Sequence, residues 1–208
     1  MYAFRRFTTL VFTCLALGIA HADETPLPVA CSATCVTPYG ENLGQSPAGV
    51  IAYSNCSANC VSRDASLVDE VYMGMEWQCV EFARRWLYRT QGLVFESVDY
   101  AYNIWDDISY LVDARNDEKH LLEDFPNGSA ALPQRGDMLV WSSEYLGTGH
   151  VAIVTQVNQK ENYIEVAEQN FLNQAWPDDY ARRIPLQKRG EGTWLDDKHL
   201  LGWKRLAE

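Results

Sequence analysis

Four of the six cysteines crowd together near the N-terminus, in two nearly identical phrases: Cys31-Ser32-Ala33-Thr34-Cys35-Val36 and Cys56-Ser57-Ala58-Asn59-Cys60-Val61. In an oxidising compartment an even set of four is expected to form two disulfides, with three connectivities open. Zinc is the competing use of four thiolates, but no histidine stands among them, and the export context described next favours bridges. One duplicated phrase does not make a repeat architecture; it marks a single stapled segment. Residues 23–69 are rich in Ser, Pro, Gly and Asn and show little helical periodicity, which predicts ordered loops and short strands.

Of the other two cysteines, Cys14 lies in a leader. Arg5 and Arg6 precede an apolar run from Leu10 to Ala20, and Ala20-His21-Ala22 offers small residues to a signal peptidase, so residues 1–22 read as a cleaved secretory signal. The run is shorter than the roughly 20 apolar residues a membrane span requires, and no later stretch is longer, so no stable membrane insertion is expected. The mature chain from Asp23 is expected to be secreted or periplasmic, a single domain with an N-terminal extension that merges into it from about residue 37. Losing the leader removes two arginines, leaving 15 basic against 28 acidic side chains and taking the charge from −11 to −13. Such a field repels nucleic acid and anionic surfaces and mildly favours a cationic substrate, while its plainer effect is solubility.

Cys79 is then the one cysteine without a partner, and an odd cysteine in an exported chain is either buried or reactive. From Gln78 the pattern becomes helical. Val80, Ala83 and Leu87 recur at helical spacing, Phe82 and Trp86 widen the stripe, and Gly92 supplies a stop. Cys79 therefore sits in the first turn, where unpaired N–H groups and the helix dipole stabilise a thiolate. A second helical stretch is expected around Tyr100 to Leu111, and Phe125-Pro126-Asn127-Gly128 breaks the chain. Beyond Pro133 the sequence turns to strands: Asp137 to Trp141, His150 to Gln156, Tyr163 to Gln169 and a closing run near Leu201 to Leu206. Helices first and strands afterwards predict an α+β fold, N-terminal helices packed on an antiparallel β-sheet.

A base for the thiol is found at Gly147-Thr148-Gly149-His150-Val151-Ala152-Ile153-Val154, where a glycine-flanked turn delivers His150 to the first position of a strand. His120 and His199 lie in polar, charge-rich surroundings instead. If Asn158 to Glu161 turn a hairpin, paired residue numbers sum to about 318 to 320, by antiparallel geometry. His150 then faces Glu168 or Asn170, both of the right parity to share its side of the sheet. Either could orient the imidazole as the third member of a catalytic triad must.

The segment Tyr72-Met73-Gly74-Met75-Glu76-Trp77-Gln78-Cys79-Val80-Glu81-Phe82-Ala83-Arg84-Arg85-Trp86 resembles the nucleophile segment of CHAP amidases. Among these it is most similar to the amidase domain of bifunctional glutathionylspermidine synthetase/amidase. Phe125-Pro126-Asn127-Gly128-Ser129, Thr148-Gly149-His150-Val151-Ala152-Ile153, Ala167-Glu168-Gln169-Asn170 and Leu201-Gly202-Trp203 recur in the same order. The resemblance implies a papain-like (CHAP) domain over residues 70–208 that hydrolyses an amide through an acyl-thioester, without metal or organic cofactor. It implies Cys79 as nucleophile, His150 as base, Glu168 as orienting group and Gln78 as oxyanion donor. It further places Arg84, Asn170 and Val98-Asp99-Tyr100-Ala101 against the glutathionyl part of a substrate. The expected substrate is a γ-glutamyl-cysteinyl-glycyl or other short peptide amide. The alternatives are a peptidoglycan stem peptide, which would make the chain a cell-wall amidase or endopeptidase, and a catalytically inactive CHAP binding module.

Overall fold

The computed structural model describes residues 27–207, so the expected leader, 1–22, lies outside the described residues. A 3-10 turn at Val29–Cys31 leads into β1 (Asn42–Gln45), β2 (Ile51–Tyr53), β3 (Ala65–Val68) and β4 (Val71–Met75). The helix α1 (Cys79–Gln91), β5 (Leu93–Val94), the single turn α2 (Asn103–Asp107), β6 (Tyr110–Asp113) and β7 (Lys119–Pro126) follow. The chain then continues through β8 (Met138–Trp141), β9 (His150–Asn158), β10 (Tyr163–Ala167), β11 (Arg182–Arg189), β12 (Gly192–Leu195) and β13 (Leu200–Leu206). Nine strands form one antiparallel sheet in the order β12-β11-β10-β9-β8-β13-β7-β6-β5, and β1-β2 and β3-β4 are separate hairpins.

The sheet is buried on both faces at its centre, because strict alternation sends neighbouring residues to opposite sides. Met138, Val140, Val151 and Ile153 meet Phe82, Ala83, Trp86 and Leu87 of α1 in one cluster. Leu139, Trp141, Ala152 and Val154 join Ile164, Val166, Ile184 and Trp203 in the other. α1 ends where expected: Gly92 adopts φ 73° and its N–H returns to the Tyr88 carbonyl at 2.9 Å.

The helical part is smaller than expected. The stretch Tyr100 to Leu111 yields only α2, and Tyr110–Asp113 is a strand, with Leu111 and Asp113 buried and Tyr110 and Val112 half-buried. Pairing with β7 on one side and β5 on the other outweighed the local helical spacing. Among the described residues the α-helices on the N-terminal side of the sheet strands reduce to α1 and one turn, set against a mostly β structure. β7, β11 and β12 were not expected from the sequence. β7 carries Leu121, Leu122 and Phe125 without strict alternation and is held between β6 and β13, and β11 and β12 form a hairpin around Gly190, at φ 61°, that buries Ile184, Leu186 and Leu195.

The β9–β10 register sums to 321 at Tyr163↔Asn158 and shifts at an irregularity between Glu165 and Val166 to 320 at Ala167↔Ile153. The hairpin thus opens just outside the expected range of 318 to 320, and the shift brings it to the upper end of that range. Glu168 and Asn170 therefore keep the parity of His150.

Cys31 is bonded to Cys60 and Cys35 to Cys56, so the two duplicated phrases run antiparallel against one another. Cys31, Cys56 and Cys60 are buried with Tyr39 beside them, a satellite core too small to hold itself together by apolar burial. The bridges close loops with sequence separations of 29 and 21 residues. Replacing all four cysteines by alanine is expected to lower stability by about 2–5 kcal/mol, since closed loops of this size constrain the unfolded chain. Urea denaturation with an unchanged midpoint would show the bridges to be energetically idle.

Candidate active site

Antiparallel pairing places the start of β9 beside the end of β10, and the N-terminus of α1 arrives at that same end of the sheet. His150 opens β9, Glu168 follows the last residue of β10, and Cys79 is the first residue of α1. All three are buried, at 1, 2 and 8 % exposure, and Cys79 carries the free thiol among the described residues. His150 Nε2 lies 2.8 Å from Glu168 Oε2. This leaves Nδ1 as the ring nitrogen available to other partners.

Gly149 makes the delivery of His150 possible. It adopts φ 69°, and a Cβ there would fall 2.5 Å from the Trp141 carbonyl oxygen and 2.8 Å from the Tyr102 nitrogen. Only glycine fits such a left-handed, close-packed position. The imidazole sits among three aromatic rings, Trp141, Tyr145 and Phe171, with centroids 5.2, 5.7 and 5.4 Å away.

Burial alone would push the His150 pKa down. Hydrogen bonding and charge from Cys79 and Glu168 outweigh it and raise the group to about 9. Burial alone would likewise raise Glu168, but the Arg182 charge and the bond with His150 hold it below the ordinary carboxylate range. Burial, with the charge of Glu168 next, pushes the Tyr145 phenol up to about 12.

A cleft of about 340 Å³ opens onto Cys79 and His150, and Gln78, Val98, Asp99, Tyr100, Ala101 and Asn170 all line it. Ala58, Asn59 and Val61 of the disulfide-stapled segment contribute to its wall. Tyr100 stacks on Tyr102 with ring centroids 5.5 Å apart and their planes inclined by 7°. Among the described residues no lysine or arginine lines the cleft, and Asp99 contributes a carboxylate to it.

Two residues singled out from the sequence sit differently from their expected roles. Arg84 is 6 % exposed and does not line the cleft. Its guanidinium donates to the Phe95 carbonyl and, at 2.8 Å, to that of Tyr72, clamping two main-chain segments behind the cleft wall. Gln78 does line the cleft, but its Nε2 donates to Asn55 Oδ1 at 3.3 Å and to the Cys60 carbonyl at 3.1 Å, while Oε1 accepts from Asn170 Nδ2 at 2.8 Å. With those donors engaged, the first-turn N–H groups of α1, which have no intrahelical acceptor, are the donors nearest the sulfur in the chain.

A buried network unforeseen from the sequence ties the helix to the sheet. Glu81, fully buried, accepts from Ser66 Oγ at 2.9 Å, from Arg85 Nε at 2.6 Å and from Gln169 Nε2 at 2.9 Å. Gln169 Nε2 also reaches the Gln78 carbonyl at 3.2 Å. Three consecutive residues thus share the work: Glu168 meets His150, Gln169 meets the start of the helix, and Asn170 meets the Gln78 side chain. Arg182 and Asp197 are a second unforeseen set. Arg182 Nε donates to Glu168 Oε1 at 2.6 Å, and its Nη1 donates to Asp197 Oδ2. Nothing in the local pattern around Arg182-Arg183 marks Arg182 as half-buried against the Glu168 carboxylate.

The CHAP domain profile matches residues 70–170. The chain is 36 % identical over 181 residues to the bifunctional glutathionylspermidine synthetase/amidase of Escherichia coli strain K12, covering 80 % of this chain and 29 % of that protein. It is 33 % identical over 179 residues to the trypanothione synthetase of Crithidia fasciculata, covering 85 % of this chain and 27 % of that one. A glutathionylspermidine synthase of the same organism matches at 33 % over 193 residues, 82 % of this chain and 27 % of its own. The chain therefore spans less than a third of the length of these relatives. Residues 70–170, close to half of the chain, are what match the CHAP domain family.

Proposed function

We propose that this chain is an exported thiol amidohydrolase that cleaves the amide of a small peptide–amine conjugate, glutathionylspermidine or a related γ-glutamyl-cysteinyl-glycyl amide. The observation that carries the reading is the placement of Cys79 at a helix N-terminus beside a buried His150 whose far nitrogen is held by Glu168 at 2.8 Å. In the first half-reaction His150 takes the thiol proton at Nδ1 and the sulfur adds to the amide carbonyl. The oxyanion is met by the N–H of Cys79 in the first turn of α1. The imidazolium then gives its proton to the departing amine, the C–N bond breaks, and an acyl-thioester remains. Water adds in the second half, losing a proton to His150, and the C–S bond breaks to release the acid and restore the thiol. Glu168 keeps the ring in the tautomer that presents a lone pair to the thiol and stabilises the imidazolium between the two proton transfers.

The substrate class is supported by the charge of the cleft and by the relatives' names. Asp99 and a chain charge of −11 favour an amine leaving group that carries ammonium charge, as a polyamine does. A second reading, a peptidoglycan amidase or endopeptidase, draws on the two disulfides, which belong to an oxidising compartment outside the cytosol. One experiment separates the two readings: mass spectrometry of the products from glutathionylspermidine and from purified peptidoglycan, with wild type beside Cys79→Ala. Spermidine released by the wild type alone supports the first reading. Muropeptides released by the wild type alone replace it with the second, and no product from either sinks both.

A further inference from the structure

Beyond Asn170, where the match to the domain family ends, the chain returns to the catalytic centre. We propose that Arg182, backed by Asp197, is a positioning residue that fixes the Glu168 carboxylate against His150. This rests on the catalytic reading of Cys79, His150 and Glu168 given above.

The contacts close a circuit. His150 Nε2 meets Glu168 Oε2 at 2.8 Å, and Arg182 Nε meets the other carboxylate oxygen at 2.6 Å, with Nη2 also 3.4 Å from Oε2. Arg182 Nη1 donates to Asp197 Oδ2, Asp197 Oδ1 accepts from Trp141 Nε1 at 3.0 Å, and the Trp141 ring lies 5.2 Å from the His150 ring where the path began. Arg182 is further held between aromatic faces, its Cζ 4.1 Å from the Phe171 centroid and 5.5 Å from that of Trp141. A carboxylate held by the imidazole through one oxygen alone can still turn about its last torsion. Donors on both oxygens remove that freedom, and a planar guanidinium held by its own second anion is suited to supply them.

The charges give the circuit a direction. Glu168, Arg182 and Asp197 together carry one net negative charge, and protonation of His150 brings the set to neutrality. The groups facing Glu168 are His150 from β9, Arg182 from β11 and the Tyr145 phenol, with Asp197, from the loop before β13, behind Arg182. The Arg182 charge, followed by the hydrogen bond and charge of His150, opposes burial and keeps the Glu168 carboxylate ionised. Removing the guanidinium leaves a buried carboxylate beside Asp197 with no cation but His150, and such a group takes up a proton more readily. Arg182 thus acts on the reaction through Glu168 and touches neither substrate nor sulfur.

The test needs no substrate: the pH dependence of Cys79 alkylation by iodoacetamide in wild type, Arg182→Gln, Arg182→Lys and Asp197→Asn, with thermal unfolding measured alongside. For Arg182→Gln the acid limb of the alkylation profile is expected to move up by about one pH unit or more, so that rates measured on that limb fall about 10-fold. Arg182→Lys, which keeps the charge and loses the fork, is expected to hold the limb near its wild-type position with a smaller loss of rate. A limb in Arg182→Gln that coincides with wild type overturns the proposal. So does a loss of rate that merely follows the folded fraction across the variants. If Arg182→Gln fails to fold, Asp197→Asn carries the test, with an upward shift of the limb expected and an unshifted limb overturning the role. Limb shifts across the variants as expected, with no amide cleaved by the wild type, would retire the proposed substrate and leave the positioning role standing.

Discussion

Cys79→Ala is expected to abolish turnover, a loss of roughly 10⁴-fold or more, while the protein stays folded. The magnitude follows from the chemistry. Without the sulfur no acyl-thioester forms, and the amide would have to be attacked by water in a cleft arranged around a thiol. What survives is binding and the electrostatic help of the helix N-terminus, which together leave only a small residue of catalysis. The fold should survive because the thiol is small and lies at the edge of the core, 8 % exposed, and its removal leaves no buried group unpaired except for one interaction of His150. The measurement is the initial rate of product release by mass spectrometry beside thermal unfolding of both proteins. A variant that keeps a tenth of the wild-type rate would remove Cys79 from the nucleophile's place. The same comparison identifies the reactive thiol, since the other cysteines among the described residues are bridged.

The parts of the site that could be read from the sequence are those with local signatures. A helical stripe beginning at Cys79, a glycine-flanked histidine entering a strand, and the parity of a hairpin pointed to Cys79, to His150 and to either Glu168 or Asn170, and in the structure it is Glu168 that meets His150 Nε2. Parity tolerated an error in register, because the shift at Glu165/Val166 moves the pairing sum by one and restores the alignment before the strand ends. Residues whose role depends on partners far along the chain gave no such signal. Glu81 reads as an ordinary acid in a first helical turn, and only folding shows it buried against Ser66, Arg85 and Gln169. Arg182 sits in a polar run that alternates like any surface strand, and its partners lie 14 and 15 residues away. Arg84 is a different case. The family resemblance implies a substrate contact for it, and in the structure its guanidinium donates to the Tyr72 and Phe95 carbonyls. β7 was illegible for a related reason, since its apolar residues Leu121, Leu122 and Phe125 do not alternate and its place is set by long-range pairing with β6 and β13.

Glu168→Gln is the change that separates orientation from charge. The amide keeps the shape of the side chain and can still meet His150 Nε2, but it carries no anion to stabilise the imidazolium, and Arg182 loses one of its two carboxylates. A fall in kcat of about 10² to 10⁴-fold is expected, the range associated with loss of the anion behind a catalytic imidazole. The pH dependence should change with a definite sign. In the wild type His150 is raised from 6.5 to about 9, so its imidazolium persists to about pH 9, and the alkaline limb of activity should lie there. In the variant that limb should move down toward the ordinary histidine value.

Stability follows the same groups. His150, raised on folding, contributes in full below pH 6.5 and loses its contribution as pH rises through 9. Glu168, lowered on folding, contributes in full above 4.5 and loses its contribution as pH falls through its depressed value. The wild type should therefore be most stable, as far as this pair is concerned, between about pH 4.5 and 6.5, and weaken toward both sides. Glu168→Gln should lose the acid-side dependence of the carboxylate and flatten the alkaline decline together. Urea unfolding across a series of pH values measures both limbs, and a variant that kept the wild-type alkaline decline would mean that the His150 proton is held by Cys79 alone.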